Sequence, residues 1–183
     1  GMLHAAILHC PHSHARITGI DTSKARSVPG VEAVLTKDSP GADLEWPYAD
    51  NFRGALFSPH CRYEGEVVAA VAANSPDEAW DGLRQVSVTY EVLPAVSDER
   101  QALDKDAPKV HSGGNLVMPV QKYHRGDVEQ GFAEAEVILE RSFRTQALLH
   151  TPIELHGCVA SWDGDDLTIW ESTQGVYAVQ DRV

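Results

Sequence analysis

The feature that most constrains the fold is a run of strand, helix and strand signals between residues 67 and 90. Val67–Ala72 is apolar on both faces, which predicts a central strand. Ser75–Glu78 reads Ser-Pro-Asp-Glu, a capping box with proline at the first helical position. The helix that follows has an apolar stripe of Ala79, Trp80 and Leu83, and Val86–Tyr90 then alternates as a strand does. The chain is therefore predicted to mix α and β structure.

The residues before this unit predict several more elements. Three further short strands are expected, at Leu3–Leu8, Ala15–Ile20 and Val31–Leu35. Thr22 is expected to cap a short helix that runs through Arg26. Lys37–Cys61 has no clear periodicity and contains three prolines, which predicts a long surface loop. A loop of this length often forms a contact site.

The second half of the chain has a weaker pattern. Asp98 is expected to start a short helix through Leu103, and glycine and proline then favour an irregular linker. A short amphipathic helix around Phe132 and a long strand over Glu136–Gln146 should follow. The last predicted element is a hairpin, with strands Cys158–Trp162 and Leu167–Trp170 flanking the dipeptide Asp163-Gly164. The predicted organisation is a first domain over 1–106, a linker over 107–122 and a second domain over 123–183.

Composition excludes some classes of function. Asp and Glu number 27 against 15 Lys and Arg, giving a formal net charge of -12, which disfavours binding to nucleic acid. No apolar run reaches the ~20 residues that a membrane helix needs, and the N-terminus lacks a signal-peptide pattern. The three cysteines form no C-x-x-C pair, which favours a reducing, cytoplasmic location over a disulfide framework.

The order of segments resembles a known enzyme family. HARITGIDTSKARSVPGVEAVLT and RYEGEVVAAVAANSPDEAWDGLRQVSVTYEVLPAV are similar to the α/β hammerhead domain of molybdenum hydroxylase large subunits, the xanthine dehydrogenase and aldehyde oxidase family. HRGDVEQGFAEAEVILERSFRTQ and HTPIELHGCVASWDGDDLTIWESTQG resemble the start of the first molybdopterin-binding domain in that family. The resemblance implies an α/β (α+β) chain, a hammerhead domain followed by the first strands of a molybdopterin-binding domain. One departure is His9-Cys10, where the family usually carries Arg-Ser before Pro11.

The resemblance also implies a function for the whole enzyme. Such enzymes are oxidoreductases that hydroxylate an aldehyde or N-heterocycle with water-derived oxygen, using a molybdopterin cofactor. Iron–sulfur centres and FAD lie on other domains or subunits, which would be the partners of this chain together with the remainder of the large subunit.

One residue of the cofactor site is carried over by the resemblance. Gln174 matches the family glutamine that approaches the molybdenum centre, and a neutral amide can both donate and accept a hydrogen bond there. The Gly-rich loop with phenylalanine, the later arginine and the C-terminal glutamate of the family have no counterpart in this sequence. The chain is therefore expected to be a truncated, N-terminal piece that acts as scaffold, with no complete catalytic set and no activity alone. Its uncovered apolar surface is expected to cause self-association.

Two other interpretations stay open at this level. The chain could be a free-standing, non-catalytic interaction module that docks through the Lys37–Cys61 loop. Alternatively, His9, Cys10, His12 and His14 could bind zinc or copper, although their spacing is not that of a standard zinc site and no metal ligand set is predicted. Glu64 and Glu66 resemble an acid–base pair, but an ion pair with Arg62 is the better expectation.

Overall fold

The computed structural model describes residues 1–49, 52–181 and 183 of the chain. These form two compact units, Gly1–Pro119 and Val120–Val183. Among the described residues, no helix has the combination of length and apolar character that a membrane crossing requires.

The elements are short strands and short helices. In chain order they are β1 (His4–His9), β2 (Ala15–Asp21), α1 (Ser23–Arg26), β3 (Val31–Thr36), β4 (Glu45–Ala49), β5 (Phe52–Ala55), β6 (His60–Cys61), β7 (Val67–Ala73), α2 (Pro76–Arg84), β8 (Ser87–Val92), a 3₁₀ turn (Gln101–Leu103), α3 (Val128–Glu134), β9 (Cys158–Asp163), β10 (Asp166–Glu171) and α4 (Val176–Gln180).

The first unit contains two three-stranded antiparallel sheets. One has the order β1-β7-β3, so β7 is its central strand, as its apolar run predicts. The other has the order β6-β2-β8. The strand–helix–strand unit therefore does not form one sheet: β7 and β8 enter different sheets, and α2 between them packs on β1 and β7.

Strand β7 contributes to both hydrophobic cores of this unit. Val71 belongs to the core under α2, together with Val34, Ala79 and Leu83. Val68 belongs to the second core, and Val68 and Val71 are both essentially inaccessible to solvent. Residues three apart on a strand point to opposite faces, so β7 is buried on both sides because each face covers a different core.

The start of α2 follows the sequence pattern closely. Ser75 adopts an extended conformation, and its hydroxyl accepts a hydrogen bond from the amide of Glu78 at 3.3 Å. The reciprocal bond differs from the expected capping box, because the Ser75 hydroxyl donates to the Glu78 carboxylate at 2.9 Å. The carboxylate therefore supports the cap through the side chain of Ser75.

Two local predictions in the first unit are wrong. Lys37–Cys61 is not one structureless loop, since β4 and β5 pair as an antiparallel hairpin and β6 joins the second sheet. Proline and glycine obscure the alternation that would have marked these short strands. Thr22 lies at the N-cap of α1 but makes no capping bond with its side chain; Asp21 accepts from the amide of Ser23 instead.

The second unit contains the predicted helix and hairpin. Asp127 caps α3 by accepting from the amide of Gln130 at 2.9 Å. In the hairpin Asp163 pairs with Asp166, so Gly164 is the first of two loop residues. Its φ of 61° is left-handed, as a glycine at that position of a type II′ turn requires.

The long strand predicted over Glu136–Gln146 is absent from the described structure, which is an error of the sequence-based prediction. Its side chains are not buried: Val137 is 75% and Phe143 91% exposed. A strand is stable only when neighbours satisfy its backbone and cover its apolar face, and no described segment pairs with this one. Residues 136–146 thus have the apolar alternation of a strand, but within the described part of the chain they have no neighbouring strand.

We expect Gly82→Ala to destabilise the first unit. An added Cβ would lie 2.8 Å from Val31 Cγ2 and 2.9 Å from Val71 Cγ1, both closer than packed carbon atoms tolerate. The expected loss is about 1–3 kcal/mol in the free energy of unfolding, measured by urea titration.

Gly131→Ala is the matched control for this substitution. Gly131 is also helical, but nothing lies within 4 Å of an added Cβ, so the change should be neutral or stabilise α3 by about 0.5–1 kcal/mol. Equal effects of the two substitutions would show that contact with Val31 and Val71 does not decide the outcome.

Candidate functional site

Gln174 lies at the junction between strand β10 and helix α4. The strand ends at Glu171, and α4 begins at Val176 after Gly175 as its N-cap. Thr173 fixes this turn, since its hydroxyl accepts from the amide of Gly175 at 3.0 Å. The Gln174 side chain is exposed and has no hydrogen-bond partner among the described residues. Its amide is thus available to donate to, and accept from, a polar group outside the chain.

An apolar groove lies beside this junction. It encloses about 700 Å³ between the β9–β10 hairpin and α4. Its apolar lining residues include Trp162, Leu167, Ile169, Trp170, Val176 and Val179. Trp162 and Trp170 are 67% and 58% exposed, so their rings are only partly covered by this unit. The groove itself carries no catalytic pair; its chemistry is that of an uncovered packing surface.

Gln174 is the residue of the second unit that the sequence resemblance assigns to a molybdopterin site, and the structure allows its fit to be tested. The Gln174 amide is uncharged, exposed and held at the end of a strand, which suits a hydrogen bond to an oxygen-rich group. The groove next to it is mainly apolar and does not resemble a cradle for a phosphate-bearing cofactor. Among the described residues of the second unit, the Gln174 amide thus fits a hydrogen bond to such a cofactor, and the apolar groove does not fit its phosphate.

The first unit contains a histidine pair, His14 buried and His60 half-buried, that the sequence pattern does not reveal. His14 Nε2 lies 2.7 Å from His60 Nε2, and His14 Nδ1 lies 2.6 Å from the carbonyl oxygen of Pro94. Because a carbonyl only accepts, Nδ1 of His14 carries the proton and donates to Pro94. In the neutral pair His60 therefore donates to His14. The two rings connect β2, β6 and the segment that follows β8.

The surroundings of this pair disfavour added positive charge. Burial lowers the pKa of His60 below its ordinary value of 6.5, and the positive charge of Arg62 adds to the effect, followed by His14, Arg16 and His111. The pKa of His111 is lowered as well, by burial first and then by Arg62. His60 and His111 therefore stay neutral down to a lower pH than a free histidine does.

The proposed metal ligands of the N-terminal segment do not come together. His12 packs edge-on against Tyr90 with ring centroids 5.0 Å apart, and His14 is committed to His60 and Pro94. Cys10 is buried in the second core. Within the described part of the chain, no three His, Cys, Asp or Glu side chains are grouped closely enough to hold a metal ion.

The expected ion pair of Glu66 is present. Arg62 Nη1 lies 3.4 Å from Glu66 Oε1, and the Glu66 carboxylate also accepts from the backbone amide of Arg62. Glu66 is 3% exposed, so its charge is balanced inside the fold rather than presented to a substrate. The ion-pair interpretation of Glu66 is confirmed, and Glu66 forms no acid–base pair with Glu64.

His60 was missed because its partner is distant in sequence. His14 directly precedes β2 and His60 lies in β6, and the antiparallel pairing of Arg16 with His60 brings the two rings together. A lone histidine before a cysteine carries no signal of such a contact.

Comparison with known proteins identifies the family. Residues 1–94 match the family described as "Aldehyde oxidase and xanthine dehydrogenase, a/b hammerhead domain", which is more than half of the chain. The chain belongs to this family. Residues 110–183 match a second family, the "Molybdopterin cofactor-binding domain". The fold class that the sequence resemblance predicted, a hammerhead domain followed by the beginning of a molybdopterin-binding domain, is confirmed.

Individual family members agree over almost the whole chain. The chain is 32% identical to the probable hypoxanthine oxidase XdhD of Escherichia coli (strain K12), over 92% of its length and 22% of that protein. It is also 32% identical to the nicotinate dehydrogenase large molybdopterin subunit of Eubacterium barkeri, over 94% of its length and 41% of that protein. The crystal structure of a Cu,Mo-CO dehydrogenase superposes with a TM-score of 0.86 at 32% identity, covering 100% of this chain and 25% of that one.

These figures define how much of the family architecture the chain contains. It spans between about a fifth and two fifths of these relatives. It therefore corresponds to the hammerhead domain and to the matched part of the molybdopterin-binding domain. The site role of Gln174, which rests on the resemblance of its segment, stays a prediction.

We expect the stability of the first unit to fall as the pH is lowered from about 7 to 5. Because the folded-state pKa of His60 lies below 6.5, the unfolded chain binds the proton more readily between the two values. His60→Gln removes the titration and keeps an amide donor near the position of Nε2. It should make the decline shallower when urea midpoints are compared across pH, although His111 preserves part of the slope.

His124→Gln, at an exposed histidine of the second unit, is the matched control and should leave the slope unchanged. If the pH profiles of wild type and His60→Gln coincided, the burial of His60 would not contribute to acid sensitivity.

Proposed function

We propose that this chain provides the hammerhead domain and the first part of the molybdopterin-binding domain of a molybdenum hydroxylase large subunit. The parent enzyme would be an oxidoreductase that hydroxylates an aldehyde or an N-heterocycle with water-derived oxygen. The observation that carries the proposal is the order of the two matched families, hammerhead over 1–94 and cofactor-binding over 110–183. The hammerhead match lies in the first compact unit, and the cofactor-binding match lies largely in the second.

The proposed role of this chain is scaffolding with one contact to the cofactor. When bound, the molybdenum cofactor supplies the oxygen-transfer and electron-transfer chemistry. Gln174 would orient a polar group at its edge by hydrogen bonding, since its amide is exposed and its backbone is held by the Thr173 turn. No other residue of the described chain is assigned to the reaction.

The proposal extends to domains and partners. The hammerhead domain is taken as 1–106, a linker as 107–122 and the beginning of the cofactor domain as 123–183. The partners would be the remainder of the large subunit and the iron–sulfur and flavin subunits or domains. A cytoplasmic location belongs to the same proposal, and the free thiols of Cys10 and Cys61 in the core suit a reducing compartment.

Gln174→Glu in the full-length large subunit tests the site. The substitution keeps the size of the side chain, replaces the donating amide with a carboxylate and adds a negative charge beside the cofactor. We expect turnover to fall about 10- to 100-fold, the usual cost of losing a hydrogen bond beside a metal centre. Molybdenum content, measured by mass spectrometry of the metal, should stay close to that of wild type, because the remaining contacts still hold the cofactor.

Gln180→Glu makes the same chemical change in α4, six residues further along, and should leave turnover unaffected. The 183-residue chain alone serves as a reference and should retain no stoichiometric molybdenum and show no hydroxylase activity. If Gln174→Glu turned over as fast as wild type, Gln174 would not contact the cofactor. If the 183-residue chain retained stoichiometric molybdenum, its role as scaffold would be contradicted.

The second unit should drive self-association of the isolated chain. Its large apolar side chains are exposed, with Phe143 at 91%, Leu148 at 90% and Ile153 at 102%. Exposed apolar area on this scale associates in water. We expect the apparent mass in light scattering to rise with concentration, and Phe143→Asp with Leu148→Asp to reduce the rise.

Val92→Asp adds a charge at an exposed apolar position of the first unit and is the control. It should leave the concentration dependence as it is in wild type. A strictly monomeric wild type at high concentration would show that the exposed side chains of the second unit do not associate.

A further inference from the structure

The groove between the β9–β10 hairpin and α4, here called the hairpin groove, has an apolar floor. Leu167 pairs with Trp162 across the hairpin, and Ile169 lies two residues further along, so all three side chains point to the same face. Val176 and Val179 of α4 complete the apolar lining. The volume of about 700 Å³ lies in the range of pockets that enclose a drug-sized molecule, so a side chain as large as phenylalanine fits inside.

The charged part of this lining is acidic. It contains the carboxylates of Asp165 and Glu171, and among the described residues no Lys, Arg or His lines the groove. Asp165 directly precedes β10 and Glu171 is its last residue, so the groove carries negative charge at both ends of the strand. An occupant that suits it combines apolar side chains with positive charge.

Residues 141–149 have this composition. They read Arg-Ser-Phe-Arg-Thr-Gln-Ala-Leu-Leu, with two arginines and no carboxylate, in a chain whose formal net charge is -12. The segment lies outside the helices and strands, and its large apolar side chains are uncovered: Phe143 is 91%, Leu148 90% and Leu149 84% exposed. None of these residues lines the groove of the same molecule. The segment and the groove are therefore two separate, uncovered surfaces of opposite charge.

We propose that residues 141–149 of one molecule dock into the hairpin groove of a second copy. Phe143 would lie on the apolar floor, where it loses its contact with water, and Arg141 and Arg144 would lie beside the carboxylates of Asp165 and Glu171. The charges select this segment over the apolar run at 137–139. That run is flanked by Glu136 and Glu140, which an acidic groove repels.

The contact joins two different surfaces, since each molecule carries one segment and one groove. Reciprocal exchange between two molecules gives a closed pair, and one-way exchange extends the assembly. The net charge of -12 repels a second copy at long range. Physiological salt screens charges that are more than about 8 Å apart, so the local match decides the outcome. No molybdopterin takes part in the contact, so its failure would leave the proposed enzyme function as it stands.

A charge exchange between segment and groove tests the proposal by light scattering. All proteins carry Cys158→Ser, because Cys158 is exposed and would form disulfides between molecules. One variant has Asp165→Lys with Glu171→Lys, and the other has Arg141→Glu with Arg144→Glu. Each alone should need at least about a tenfold higher concentration than the parent to associate, because like charges then face each other. An equimolar mixture should associate again, since every contact between the two variants joins opposite charges.

Asp104→Lys with Asp106→Lys is the matched control. It makes the same change in net charge at two exposed positions of the first unit and should associate as the parent does. If the groove and segment variants associated alone as readily as the parent, or if their mixture stayed monomeric, the proposal would be overturned.

A synthetic peptide of residues 141–149 tests the groove without altering it. Added to the Cys158→Ser chain, it should lower the apparent mass by competing with the second copy. It should also shift the indole N–H signals of Trp162 and Trp170 in NMR spectra, while Trp80, exposed on α2 of the first unit, is the internal reference. The same peptide with Arg141→Glu and Arg144→Glu should do neither.

The peptide also separates a second copy from other occupants of the groove. A chain that binds the peptide but is monomeric without it would exclude a second copy. Unchanged signals of Trp162 and Trp170 at saturating peptide would exclude the groove as the docking surface.

Discussion

The first unit depends on a single strand that is buried on both faces. β7 supplies Val71 to the core under α2 and Val68 to the core shared with the second sheet. It also pairs with β1 on one edge and β3 on the other. The close approach of α2 requires Gly82, since a side chain there would occupy the space of Val31 and Val71. Helix, sheet and both cores are thus fixed by the burial of one seven-residue strand.

The second sheet is joined to this centre by polar groups as well as by packing. His14 hydrogen-bonds to the carbonyl of Pro94, the last residue of the hammerhead match, and to His60 in β6. Arg62 and Glu66 form an ion pair in the turn between β6 and β7. These contacts satisfy buried polar groups that would otherwise be costly, although Arg62 Nε is buried without a hydrogen-bond partner. The same small region holds Cys10 and Cys61, which are buried in the core that they form with Ala15, Ile17 and Val68.

The two units differ in how much they bury. The first has two cores of inaccessible side chains, whereas the second exposes most of its large apolar residues and consists of a helix, a hairpin and a final short helix. That contrast agrees with a chain that spans only part of its relatives. The segment that matches the hammerhead family contains all residues of the two cores. The segment that matches the cofactor-binding family has most of its large apolar side chains exposed.

The sequence by itself determined the elements whose signals are local. The Ser75 cap, the apolar run of β7, the helix around Phe132 and the hairpin around Gly164 were all predicted from the sequence, because each rests on interactions between near neighbours. The order of such segments also identified the family, and it singled out Gln174, whose role stays a prediction.

Only the tertiary structure decided what depends on distant partners. It placed β7 and β8 in separate sheets, made strands of Glu45–Ala49 and Phe52–Ala55, and left Val137 and Phe143 without a strand to join. It also brought His60 to His14 and placed Cys61 and Cys10 in one core. Strand pairing and buried contacts of this kind are stabilised by groups far apart in the chain, so no local pattern contains them.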